Sequence, residues 1–90
     1  MSKSRILYKR DNRICILTKV LNVIPGEGRS EDWKTGLLVS TGRQQVILNC
    51  WNSKNPEKPQ MATRAKQLKP GDTIVALIIA QNGEFSCIAY

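Results

Sequence analysis

The chain has 90 residues, with 14 Lys or Arg, seven Asp or Glu and no His, for a formal charge of +7. That length holds one small domain and not two cores, and 41% hydrophobic with 23% charged residues is the balance of a folded domain rather than a disordered one. No apolar run nears the roughly 20 residues a bilayer-spanning helix needs, and Lys19 and Asn22 break the apolar stretch after the basic start, so a secretory signal is not expected; the reading is a cytoplasmic protein with no membrane partner.

Residues 1–13 carry Lys3, Arg5, Lys9, Arg10 and Arg13 against Asp11 alone. They read as a basic N-terminal arm, with Ile6-Leu7-Tyr8 as a short strand that either frays or swaps onto a partner subunit. Residues 14–90 read as one domain. In 14–24 the residues are β-branched and apolar, which predicts a strand. Ile14, Ile16, Thr18 and Val20 share one face; Cys15, Leu17, Lys19 and Leu21 share the other. A strand this long and apolar on both faces suits a bend that serves two sheets. Pro25-Gly26-Glu27-Gly28 stops it, and a polar loop runs to Asp32.

Residues 33–40 predict a second strand. Ser40-Thr41-Gly42-Arg43 reads as a hairpin turn, with Gly42 at positive φ. Residues 44–52 return antiparallel as a third strand. There Val46, Leu48 and Cys50 form an apolar core face, opposite Gln45, Ile47, Asn49 and Trp51. The stretch 53–60 holds two prolines and two lysines, an exposed loop. Residues 61–69 favour a short helix, with Met61, Ala65 and Leu68 on one side; Pro70-Gly71-Asp72 ends it. Residues 73–81 predict a buried strand, Asn82-Gly83 a type I′ turn, and 84–90 the last strand. In that strand Phe85, Cys87 and Ala89 point to the core, and Tyr90 lies opposite, at an interface or a stacking surface.

The order strand, strand, strand, helix, strand, strand predicts an all-β fold: a five-stranded OB-type barrel with a short helix between strands three and four. An SH3-like barrel, the main rival, has no helix there. Cys15, Cys50 and Cys87 are odd in number and far apart, which argues against a disulfide framework or a zinc site. Each sits in an apolar segment and reads as a reduced, buried, small hydrophobe. Without His, the commonest general base and neutral metal ligand are gone. Glu31-Asp32 is the one obvious acidic pair, and neither GxxxxGK[ST] nor GxGxxG occurs. No enzyme, catalytic residue, metal or cofactor is expected.

Three stretches resemble the OB-fold single-stranded-DNA-binding protein family. They are the strand and Gly-containing loop from Ile14 to Gly28, the strand Val46-Ile47-Leu48-Asn49-Cys50-Trp51 ending in an aromatic, and Ala62 to Val75, where a helix runs through Lys69-Pro70-Gly71-Asp72 into a β-branched strand. The resemblance covers about residues 14–90 and is to a small variant without the acidic C-terminal tail. It implies binding of single-stranded nucleic acid, DNA before RNA, on strands two and three and their flanking loops.

Such binding needs cations that follow phosphates and flat side chains on which bases stack. Trp51 is the first candidate, on the polar face of strand three and followed by Lys54 and Lys58; its other reading is a cap on the barrel mouth. Trp33 with Lys34 opens strand two, either at the site or packing the loop before it. Arg43 in the turn suits a phosphate clamp, and Lys19 is expected to point outward on the binding side. Arg64, Lys66 and Lys69 read as a solvated helix face. A second expectation, of another class, is a protein-interaction or assembly domain without a nucleic-acid ligand. In either case a homo-oligomer, dimer or tetramer, is expected.

Overall fold

The computed structural model describes residues 5–30, 33–41 and 44–90. The basic and apolar segment Arg5–Arg10 forms strand β1. It turns back at Asp11-Asn12 into the 13-residue strand β2 (Arg13–Pro25). Then follow β3 (Lys34–Thr41), β4 (Gln44–Trp51), the helix α1 (Met61–Ala65), β5 (Thr73–Gln81) and β6 (Glu84–Ala89). No helix among the described residues is long and apolar enough to cross a membrane.

β2 does bend to serve two sheets. Its residues from Arg13 to Lys19 pair with β5, and those from Val20 to Pro25 pair with β3. β3 and β4 form an antiparallel hairpin. β4 then meets β6 in parallel, at Leu48↔Phe85 and Asn49↔Ser86. Since β6 pairs antiparallel with β5, and β5 with β2, the strands close into a five-stranded barrel in the order β2-β3-β4-β6-β5. With a short helix between β4 and β5, this is an OB-type barrel.

The inward faces are the apolar ones. Ile16, Val20, Leu37, Val39, Leu48, Ile74, Ala76 and Ile78 fill the interior, and Met61 and Ala65 of α1 pack against them. Two buried hydroxyls are satisfied. Thr18 donates to the Ser40 carbonyl at 2.6 Å and Thr35 to the Ala62 carbonyl at 2.9 Å, the second tying α1 to β3. The turns follow their local chemistry. Asn82 and Gly83 have φ of 51° and 78°, a type I′ pattern. Gly71, after Pro70, has a φ of 99°, and Asp72 N–H donates to the Lys69 carbonyl at 3.0 Å, a type II turn.

Several details differ from the sequence-based expectations. The basic arm is a full strand of six residues hydrogen-bonded to β2, because its β-branched and aromatic centre can pair once Asp11, at a φ of 53°, reverses the chain. The helix is five residues long rather than nine, since Gln67 and Leu68 donate to carbonyls three residues back and tighten the chain before Pro70. Cys15 is only half-buried, because its side of β2 faces outward; Cys50 and Cys87 are buried. The thiol contact with Cys87 and burial both hold the Cys50 thiol above its ordinary range.

Candidate functional site

The hydrophilic side of β4, Gln45, Ile47 and Asn49, is the floor of an open groove of about 680 Å³ on the outer surface of the barrel. One wall is the end of β2 and the start of its loop, from Ile24 to Glu27; the other is the β5–β6 turn, Gly83, Glu84 and Phe85. These are the surfaces on which OB barrels bind oligonucleotides and oligosaccharides.

Gly36 makes the floor low. It lies in mid-strand, directly between Ile24 of β2 and Asn49 of β4. A Cβ there would stand 3.3 Å from Ile47 Cγ2 and 3.4 Å from Ile24 Cβ. Glycine therefore lets two isoleucines close over the backbone. Both remain open to solvent, at 38% for Ile24 and 48% for Ile47. The groove thus offers an apolar strip bordered by the amides of Gln45 and Asn49.

Trp51 continues the outward stripe of β4 past the groove and is 49% exposed. Its cross-strand partner is Lys34, a groove residue, whose Nζ stands 5.2 Å from the ring centroid. That is a cation–π contact, and it presents the ring and the charge together. The chain after Trp51 is pinned. Asn52 N–H donates to the Trp33 carbonyl at 2.8 Å. The Asn52 side chain donates to Thr63 Oγ1 and accepts from Thr63 N–H, each at 3.0 Å. Gln60 makes no side-chain cap bond, so Asn52, the residue after β4, supplies an acceptor that the start of α1 needs. Trp33, 43% exposed, is held at the same end of the barrel by this bonding.

The structure therefore brings Lys34 and Trp51 together beside the groove, while Trp33 is tied to the chain after Trp51 through its backbone carbonyl. Lys54 and Lys58 lie exposed in the loop after Trp51. Lys19 is not brought to the groove: it is half-buried opposite Thr73 of β5. Arg43 lies outside the described residues. Tyr90, placed by sequence at an interface or a stacking surface, packs against the core instead. Its hydroxyl donates to the Arg64 carbonyl at 2.8 Å, and the Arg64 guanidinium lies 4.8 Å over its ring. Partial burial raises the Tyr90 phenol above its usual range.

Sequence reasoning missed the groove walls. Phe85, expected in the core, packs on the core and also lines the groove. Glu27 and Glu84 put two carboxylates on the rim, opposed to Lys34. The groove is therefore mixed in charge, with much of the cationic surface outside it. A glycine inside a strand, Gly36, was the available signal. Comparisons with protein-family profiles, with curated proteins and with solved structures found no match to this chain.

Proposed function

We propose that this protein binds single-stranded nucleic acid without catalysis, DNA before RNA, along the β3–β4 groove and the tryptophans beside it. The observation that carries the reading is the pairing of an apolar, amide-bordered groove with Trp51, a half-exposed ring held against Lys34. Every base has a face that stacks on an aromatic ring, and an adjacent cation suits the phosphate that follows. The net charge of +7 supplies the long-range attraction. Three free thiols suit a cytoplasmic setting, where thiols stay reduced. The test is tryptophan fluorescence during titration with a single-stranded oligonucleotide of about thirty nucleotides, longer than one OB site, at low and moderate salt. Saturable quenching that weakens with salt and is poorer with duplex supports the reading. A folded protein that gives no response at low salt refutes it.

A second reading, an assembly domain, is favoured by a different surface. Among the described residues β1 pairs only with β2, so its outer edge is open. Ile6, Leu7 and Tyr8 are 58%, 42% and 53% exposed along that edge, and Val75 of β5 is 48% exposed on the outer face of the barrel. Open edges with apolar side chains invite strand pairing with a second copy. Sedimentation that gives a multimer indifferent to oligonucleotide supports this reading over the first.

A further inference from the structure

We infer that the tip of the β1–β2 hairpin is a second binding site, a phosphate clamp that takes the nucleic-acid backbone where a strand runs on from the groove. This extends the reading of the groove as a strand-binding site and rests on it.

The hairpin carries charge that the fold does not use. Arg10 and Arg13 are direct cross-strand partners on either side of the Asp11-Asn12 turn. Like charges placed directly opposite destabilise a β pair. Arg5 and Lys9 add to them, and all four residues are exposed. Among the described residues none of the four has a side-chain hydrogen bond, ion pair or ring contact. Four cations against one acid, Asp11, give this hairpin a concentrated positive charge. Arginine in such a place matches phosphate, whose oxygens accept its forked N–H groups in pairs.

Register connects this charge to the groove. From Gly36 on the floor, direct strand partners run Asn49, Ser86, Ile79, Arg13, Arg10. All six lie on the outer surface, because the neighbours Leu37, Leu48, Cys87 and Ile78 are the inward, buried ones. At the usual spacing of about 4.8 Å between strands, Arg13 stands roughly 14 Å and Arg10 roughly 19 Å around the barrel from Asn49. The path crosses β6 and β5 beside the turn that walls the groove. Ala80 N–H donates to the Asn12 carbonyl at 3.0 Å and holds the hairpin tip next to that turn. A strand that fills the groove and leaves over the β5–β6 turn reaches the two arginines; one too short to leave does not.

The test compares the full chain with its Arg10→Thr/Arg13→Thr variant, and with Lys66→Thr/Lys69→Thr as a charge-matched control. The control lysines precede β5, at the opposite end of that strand from Ile79. Two single-stranded probes are titrated across a salt series, about five and about fifteen nucleotides long, spanning the site sizes of one OB fold. Losing two phosphate contacts flattens the log–log salt dependence by about 1.4 for a single strand. The arginine variant is expected to show that change on the longer probe, with affinity lower by on the order of tenfold at low salt. It should bind the shorter probe like the parent, and its melting temperature should not fall, since the opposed charges are gone. Equal loss on both probes, or a longer-probe curve matching the lysine control, overturns the clamp while leaving the groove reading in place. Arginine-dependent binding of the longer probe, with no binding of the shorter one and no effect of Trp51→Ala, keeps the clamp and removes the groove. A parent that binds neither probe removes both.

Discussion

Replacing Trp51 with Ala removes a ring that stands half out of the surface, so its costs to folding and to binding separate. A fully buried aromatic side chain covers 150–250 Å², and at 49% exposure Trp51 hides about half of that, on the order of 100 Å². At about 25 cal/mol per Å² the loss is at most ~2.5 kcal/mol. The Lys34 contact adds about 0.5 kcal/mol at an exposed position. A domain with about 5–15 kcal/mol of stability survives that, though its transition moves down, so binding is measured well below it. Loss of one stacked base costs about 1–3 kcal/mol, or roughly 5- to 150-fold in affinity. Trp51→Phe keeps a stacking face and is expected to fall between parent and Ala variant. Anisotropy of a labelled strand of about thirty nucleotides, longer than one OB site, reads affinity without relying on tryptophan, and circular dichroism reads the fold. An Ala variant that is folded and binds within about twofold of the parent, well short of the stacking loss, refutes Trp51 as a stacking platform.

Glu84→Gln takes one carboxylate off the groove wall and is expected to tighten single-strand binding severalfold at low salt; the gain should shrink as the Debye length falls to about 10 Å at 0.1 M. Asn52→Ala removes both side-chain bonds to Thr63. It should cost about 1–2 kcal/mol, seen as a melting temperature lower by about 4–8 °C for each kcal/mol. At neutral pH a thiol-reactive disulfide reagent is expected to modify Cys15 in the native protein. Cys50 and Cys87 should react only on unfolding, because both are buried and the Cys50 thiol is held above its ordinary range. Fast reaction of all three would show that the β4–β6 seam opens readily.

Local signals carried much of the fold into the sequence. β-branched runs mark β2 and β5, Asn82-Gly83 supplies two positive φ angles for a tight turn, and Pro70-Gly71 ends the helical stretch. Alternation in β4 separates Leu48 and Cys50 from Ile47 and Trp51, and burial follows that division. Trp51 and Lys34 were legible as candidates by residue type alone. Their contact was not, since it needs the register of β3 on β4.

Tertiary structure decided the rest. The groove joins segments near residues 24–27, 34–36, 45–49 and 83–85, and no pattern in one segment announces the others. Phe85 reads as core from its alternation with Cys87; only the parallel pairing of β6 with β4 puts it also at the groove. Tyr90 was misplaced for the same reason; Lys19 lies on the outward side of β2, as alternation implies, but outside the groove. Periodicity says which side of a strand a residue is on, while the neighbour it meets there depends on how the barrel closes. The basic start was visible as charge, but its place depends on a two-residue turn and on the bond from Ala80 to Asn12. Side-chain chemistry and local backbone preference are properties of a few adjacent residues, and sequence determines them; juxtaposition across the barrel is set by long-range pairing.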